Sequence, residues 1–315
     1  MKKKLLLFFF FLSIAFWVSH TNQRTDYWCR DMHFEEYQNG VMNHTIYGPI
    51  AYRVMIPYTV DFLSNICHVG SEKQVVFYLN IFLLLLTQFA FYYYLKNIFS
   101  DTESLLGTLW LDLCIMMGFT SFIGIHVYET MDVCNLFFMS CALNLLYNHR
   151  WRWLIIILFF GMLNRETPAF LLLPVYIFLY KKKISIRWAL LCTIAVLIPY
   201  FSLKLLIHPP QPFWFQTIYL SENLPFLKDS DPEIIGLGYL KFILLLGSAL
   251  WIALSGFKNK NEFFRITMLI VPVYIPIHLI VGHLEEYRLW IPLFLFLIPL
   301  GLETIRSFKE NGIKN

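Results

Sequence analysis

Long apolar runs alternate with short polar segments along the chain. The runs lie at about 5–18, 75–95, 104–121, 132–147, 153–163, 168–180, 188–207, 238–256, 264–281 and 289–304. Most of them approach the ~20 residues that an α-helix needs to cross ~30 Å of hydrocarbon. The pattern predicts an all-α fold, a polytopic bundle of about ten transmembrane helices that forms a single integral membrane domain over residues 1–315.

The positive charges predict how these helices are oriented, because Lys and Arg collect on the cytoplasmic side of a membrane. Lys2, Lys3 and Lys4 precede the first run and no small-x-small cleavage site follows it, so we expect a retained helix rather than a signal peptide. With ten helices, 16 of the 25 Lys and Arg residues fall inside and 15 of the 21 Asp and Glu residues fall outside. The sequence therefore predicts cytoplasmic N- and C-termini, and we expect the membrane to be a bacterial inner membrane.

The two short runs within 153–180 determine on which side of the membrane each later loop lies. They could fuse into one helix, but Arg150 lies before the pair and Lys181–Lys183 lie after it. Both ends then belong inside, so the sequence favours a short hairpin. A fused helix would move every later loop to the opposite side of the membrane. At the tip of the hairpin, Thr167 and Pro168 suit the N-cap and the first position of the returning helix.

Two long polar segments fall on the predicted outside. Residues 21–73 form the first external loop, in which Ile50 to Ile66 could form a helix lying along the membrane surface. Residues 208–237 form the second, and its tryptophan lies among prolines and phenylalanines, a composition that suits the lipid interface. Both segments are rich in acids and aromatics, whereas the predicted inner loops are short and basic.

Composition narrows the classes of function. The chain is 58% hydrophobic and 15% charged with a mean hydropathy of +0.58, whereas soluble domains are about half apolar and a quarter charged. Membrane lipid is therefore an expected partner. No basic stripe interleaved with aromatics is present, so we expect no nucleic-acid partner. The sequence also lacks a Gly-rich phosphate loop, a CxxC pair and an HExxH motif.

The hairpin tip carries the strongest candidate residues, Asn164, Arg165 and Glu166. The thirteen residues from Trp151 to Leu163 rise only ~20 Å along a helix, which is less than the ~30 Å of hydrocarbon. The tip therefore lies below the outer surface, where charges are tolerated only in a protein-lined cavity. An Arg165–Glu166 pair that pins the two helix ends is one interpretation. The favoured one is a substrate-binding cavity open to the outer leaflet.

Two further polar groups lie on the predicted outside. His126, Glu129 and Asp132 recur at every third position, on one face of a helix start. A divalent metal site is conceivable there, but the helix dipole favours acids at that position anyway, so no metal and no other cofactor is assigned. Glu285 and Arg288 also share a helix face, as a surface ion pair or as substrate-binding residues.

Three arginines on the predicted outside, Arg53, Arg165 and Arg288, suit a phosphate or diphosphate. The planar guanidinium binds phosphate oxygens in bidentate fashion. A carboxylate nearby could act as a general base towards an acceptor hydroxyl. Together these residues fit group transfer from a lipid-linked phosphate donor, although the spacing alone does not identify the group that is transferred.

Several short motifs resemble the GT-C superfamily of polytopic membrane glycosyltransferases. They are Asp26 soon after the first helix, Tyr52-Arg53-Val54-Met55-Ile56-Pro57, Asn164-Arg165-Glu166-Thr167, and Glu285-Glu286-Tyr287-Arg288 leading into Pro292. The resemblance implies a multi-helix bundle whose first external loop holds a catalytic carboxylate. It also implies a polyprenyl-phosphate sugar donor, inversion at the anomeric carbon, and a glycan or lipid-linked acceptor in the cell envelope. By this resemblance Asp26 is the base and Asp31 is the alternative.

Two other functions remain open on the sequence. A polysaccharide polymerase would place the same kinds of residue on the same side. A lipid or sugar transporter, or a flippase, would need polar residues through both leaflets, because its substrate must be handed across. Asp112 is the one acid that lies deep in a predicted span and away from the outer cluster, so the pattern favours a transferase over a transporter.

Overall fold

The computed structural model describes residues 2–25, 38–45, 50–119, 129–208, 243–281 and 287–312, and no β-strand occurs in these ranges. A short helical turn lies at 38–42. The longer helices are α1 (Lys2–Thr25), α2 (Met55–Asp61), α3 (Glu72–Leu95), α4 (Asp101–Phe119), α5 (Glu129–Tyr147), α6 (Trp151–Asn164), α7 (Leu172–Tyr180), α8 (Ile186–Leu206), α9 (Ser248–Leu254), α10 (Glu262–Thr267), α11 (Val271–Val281) and α12 (Ile291–Gly312). The all-α prediction is confirmed for this part of the chain.

Within the described ranges, five helical segments are long and apolar enough to cross a membrane. They are Glu72–Leu95, Thr130–Tyr147, Ile186–Leu206, Glu262–Ile280 and Ile291–Glu310. Shorter apolar helices occupy Lys4–His20, Trp151–Asn164, Thr167–Tyr180 and Ile243–Leu254. These lengths support an integral membrane protein. The count of about ten spans, the GT-C-like arrangement and the orientation of the termini remain predictions.

The helix over 151–164 does not continue into the next one. Arg165 has an extended backbone, with φ −162° and ψ 156°, and a 3-10 turn follows at Thr167–Leu171. A Cβ on Gly161 would lie 3.0 Å from Cγ of Pro168, whereas seven residues of continuous helix would separate the two positions by about 10 Å. The chain therefore turns at the predicted tip, and a single fused helix is excluded.

The tip differs from the sequence prediction in one detail of its capping. Glu166 holds the N-cap position with no side-chain cap bond, and Thr167 is already the first residue of the 3-10 turn. Thr167 as the N-cap is therefore wrong by one residue. Pro168 still lies at the start of the returning element, where its missing N–H costs no hydrogen bond.

The chain divides into two compact units. Unit 1 comprises Met1–Tyr94, Gly124–Leu172 and Ile184–Phe213, and unit 2 comprises Leu95–Ile123, Leu173–Lys183 and Trp214–Asn315. The prediction of a single integral membrane domain over 1–315, with external loops at 21–73 and 208–237, stays a prediction. Residues 26–37 and 46–49 of the first loop and 209–242, which cover nearly all of the second, lie outside the described part.

In unit 1, α6 packs between α5 and α8. The hydroxyl of Thr87 on α3 donates to the backbone oxygen of Val133 on α5 at 3.3 Å. This hydrogen bond connects α3 to the group formed by α5, α6 and α8. Gly161 faces Phe138, and Asn164 bonds to Met131 further back along α5. The contacts run in opposite order along the two helices, so α5 and α6 are antiparallel. The start of α5 and the end of α6 therefore share one end of the pair.

In unit 2, α12 packs against α4 and α9. Arg306 near the end of α12 donates to both carboxylate oxygens of Glu103 in the first turn of α4, at 3.0 and 2.7 Å. These hydrogen bonds lower the pKa of Glu103 from 4.5 to about 2, so the acid is charged at neutral pH. The pair brings the start of α4 and the end of α12 to the same end of unit 2. The ten-span arrangement requires this, whereas a fused helix would place them on opposite sides.

The segment expected to lie along the membrane surface is helical in pieces. A 3-10 turn at Ile50–Tyr52 is followed by α2 and by a π turn at Phe62–Ile66. Arg53 and Val54 interrupt the helix between the first two pieces. Ile56, Pro57 and Val60 are buried, so α2 presents one apolar face to the protein. Its position relative to a membrane remains a prediction.

Candidate functional site

The last residue of α6 fastens the hairpin tip to α5. Asn164 is fully buried, and its Nδ2 donates to the backbone oxygen of Met131 at 2.9 Å. Its Oδ1 is also buried and has no hydrogen-bond partner within the described residues. The Asn164 amide can donate a hydrogen bond to a neighbouring backbone oxygen, which an apolar side chain cannot do. This contact holds the tip in place.

Arg165 forms an ion pair with Asp132 on α5, and the two side chains are only 7% and 4% exposed. The less favoured interpretation of the sequence paired Arg165 with Glu166, and that pairing is wrong. The extended backbone at Arg165 explains the difference, because successive side chains of an extended chain point in opposite directions. Arg165 therefore turns towards α5, and Glu166 turns away from it.

Glu166 lies instead near Arg53, which stands just before α2. The nearest pair of atoms, Nη2 of Arg53 and Oε2 of Glu166, is 3.7 Å apart, and the side chains are 15% and 37% exposed. This distance is longer than a hydrogen bond, which joins nitrogen and oxygen at 2.7–3.2 Å. Nε of Arg53 is buried and meets no hydrogen-bond acceptor among the described residues. At least this one N–H of the guanidinium is therefore unpaired within the described ranges.

Two contacts position Arg53. Nε2 of Gln38 donates to the backbone oxygen of Pro57 at 2.9 Å in a buried setting, which ties the 38–42 turn to α2. α2 also packs against α6. Arg53 immediately precedes α2, so these contacts bring its side chain to the hairpin tip.

We call Arg53, Asp132, Asn164, Arg165 and Glu166 the tip cluster. Its residues come from three segments that the charge pattern places outside, and all of them lie in unit 1. Four of the five were predicted to bind substrate, whereas Asp132 was considered only as part of a conceivable metal group with His126 and Glu129. A signal for it was present in the sequence, since a buried Arg165 needs a counter-charge and Asp132 lies on the helix face that also carries Glu129.

The structure says less about the other candidates. Asp26, Asp31, His126 and Glu285 lie outside the described residues. Glu129 begins α5, but its side chain is also outside the described part. Arg288 is half-buried in the 3-10 turn Tyr287–Leu289, ahead of α12 in unit 2.

No group of three or more His, Cys, Asp or Glu residues within the described ranges could hold a metal ion. Neither a protein-family model, a curated protein nor a solved structure matches the chain to a significant degree. The residues of the chain itself are therefore the basis for a functional proposal.

The tip cluster combines arginines with carboxylates, and such a combination can bind an anion beside a carboxylate. Arg165 and Asp132 neutralise each other in a buried position. Nε of Arg53 has no acceptor in the described part of the chain, and an N–H donor of this kind suits a tetrahedral oxyanion. Glu166 is the most exposed of the paired groups and faces Arg53 without a hydrogen bond.

Proposed function

We propose that the protein is a glycosyltransferase that moves a sugar from a polyprenyl-phosphate donor to a lipid-linked or cell-envelope glycan acceptor at the external face of the membrane. The observation that carries the proposal is the tip cluster: two arginines and two acids gathered at one end of an apolar helix pair. One of these arginines has a buried donor without an acceptor among the described residues.

The cost of these charges supports a functional role. An Arg or Asp costs ~2.5–3.5 kcal/mol at the centre of a membrane helix, and the tip cluster, at a helix end, is predicted to lie part of the way towards that depth, so charges there favour a functional role. The Arg165–Asp132 pair offsets part of that cost by mutual attraction. Arg53 and Glu166 gain less from each other at 3.7 Å, so a helix-pinning role accounts for the first pair better than for the second.

The proposed reaction uses the residues in separate roles. The acceptor hydroxyl oxygen attacks the anomeric carbon of the sugar, the bond from that carbon to the phosphate oxygen breaks, and polyprenyl phosphate leaves. Arg53 binds the phosphate and stabilises the charge that develops on it. A carboxylate takes the proton of the acceptor hydroxyl. From the resemblance to GT-C enzymes we assign that base to Asp26, with Asp31 as the alternative, and we assign no cofactor.

The experiment is transfer of a radiolabelled sugar by purified protein from a polyprenyl-phosphate donor. We expect Asp26→Asn to keep donor binding but to lower turnover by roughly 10²–10⁴, the usual contribution of a positioned base. Arg53→Ala should instead weaken donor binding. Asp31→Asn, assayed in parallel, separates the two acids. Full activity in both Asp variants would remove the first external loop from the chemistry, and no transfer by the unaltered protein would contradict the proposal itself.

A further inference from the structure

The two ion pairs of the tip cluster are built differently. Arg165 and Asp132 form a closed pair, in direct contact and almost fully buried. Arg53 and Glu166 form an open pair, with 3.7 Å between the nearest charged atoms and Glu166 37% exposed. Because the backbone turns at Arg165, one tip residue anchors the hairpin to α5 and the next one faces a second arginine. The open pair is therefore the one that can change partner without dismantling the fold.

Arg53 is only partly satisfied by Glu166. A guanidinium carries five N–H donors, and its nearest approach to Glu166, from Nη2 to Oε2 at 3.7 Å, is longer than a hydrogen bond. Nε is buried and has no acceptor within the described residues. A phosphate could accept from Nε and Nη2 together, in the bidentate geometry that arginine forms with tetrahedral oxyanions.

We propose that Glu166 is a displaceable occupant of an anion site on Arg53, and that the phosphate of a lipid-linked donor takes its place. This inference rests on the proposed function, because it identifies the anion with the donor's phosphate. The phosphate gains hydrogen bonds that Glu166 does not make, and the carboxylate swings free towards the solvent. Glu166 thereby excludes weakly binding anions from Arg53. An oxyanion that accepts hydrogen bonds from both Nε and Nη2 displaces it.

The test is equilibrium binding of polyprenyl monophosphate to the protein in nanodiscs, with inorganic phosphate titrated in a second arm. Glu166→Gln keeps the shape of the side chain but removes the competing charge, so we expect its affinity for the lipid phosphate to rise by several-fold. Arg53→Gln should lower the affinity by at least tenfold. In Arg53→Gln/Glu166→Gln the gain from Glu166→Gln should vanish, because the site it vacates no longer binds an anion.

Glu72→Gln is the matched control. Glu72 lies at the start of α3, on the predicted outer side of unit 1, and the substitution makes the same change in net charge. A rise in affinity for Glu166→Gln but not for Glu72→Gln supports displacement at Arg53. An equal rise in both would reduce the effect to general electrostatics and overturn the proposal. Unchanged or weaker binding by Glu166→Gln would overturn it as well.

The titrations with polyprenyl monophosphate and with inorganic phosphate distinguish a lipid-linked phosphate from a free one as the ligand of Arg53. If Glu166→Gln tightens the binding of inorganic phosphate but not of the lipid phosphate, the assignment to a lipid donor is wrong. Thermal unfolding of each variant checks the fold, and Arg53→Lys, which keeps the charge but loses the bidentate geometry, replaces Arg53→Gln if the latter does not fold. Because the assay needs no sugar transfer, normal transfer without displacement overturns this inference alone, and displacement without transfer overturns the proposed function alone.

Discussion

The closed pair shows why single residues matter in an apolar interior. Removing one partner of a buried ion pair strands the other charge, which typically costs about 3–5 kcal/mol. We therefore expect Arg165→Ala and Asp132→Ala each to lower the free energy of unfolding by that amount. Denaturant unfolding in detergent measures the effect.

The double variant provides the control for that experiment. Each single change strands a charge that the double change removes. The loss in free energy of unfolding for Asp132→Ala/Arg165→Ala should therefore be smaller than the sum of the losses for the two single variants. Strictly additive losses would mean that the two side chains do not stabilise each other, and Arg165 would then need another counter-charge.

Gly161 is the residue that lets Pro168 approach the last turn of α6. A Cβ at this position would lie 3.0 Å from Pro168 and 3.4 Å from Phe138, and neither a proline ring nor a helix-borne Cβ moves freely. We expect Gly161→Ala to destabilise the protein by about 1–3 kcal/mol through overpacking, measured as a lowered unfolding midpoint.

Gly247 offers the comparison, because it also has helical backbone but the nearest atom to its Cβ position is 3.7 Å away. Gly247→Ala should leave the midpoint unchanged or raise it, since alanine is the better helix former. An equal loss in both variants would point to glycine's general effect on helices rather than to the close approach of Pro168.

The helices were the most predictable part of the molecule. The expected runs at 75–95 and 188–207 correspond to Glu72–Leu95 and Ile186–Leu206, because apolar length alone identifies a helix that lies in lipid. The last helix was expected to end near 304 but continues to Gly312. Its final turns are charged, so hydropathy does not detect them.

The pairing of the charged residues was less predictable. The tip was expected from the flanking charges, but the one pairing considered for Arg165, with its sequence neighbour Glu166, was wrong. Which side chain meets which across helices depends on packing and on the local backbone. The extended conformation at Arg165 decided it here, and the sequence carries no clear mark of that conformation.

The hairpin also makes a prediction about orientation. We expect reporter fusions after residues 150, 183, 260 and 315 to report the cytoplasm, and fusions near 40, 165, 220 and 284 to report the outside. The physical reason is the excess of Lys and Arg in the loops assigned to the inside. External signals at 183 and 260 would contradict the hairpin as a topological element, and the tip cluster would then not lie at the outer face.

For the molecule as a whole, the proposed function requires that the protein breaks a bond between a sugar and a lipid phosphate. A flippase or transporter would handle the same donor, and its arginines would bind the same phosphate, but the donor would cross the bilayer intact. Binding experiments therefore do not separate the two classes of protein. The fate of the sugar–phosphate bond does.

The most direct measurement uses proteoliposomes and a donor labelled with tritium in the polyprenyl chain and carbon-14 in the sugar. With an acceptor glycan present, we expect the two labels to separate: carbon-14 moves to the acceptor fraction and tritium remains as polyprenyl phosphate. The separation should slow by roughly 10²–10⁴ in Asp26→Asn. Labels that stay together in the unaltered protein, while the donor moves between leaflets, would contradict a transferase and show a transporter.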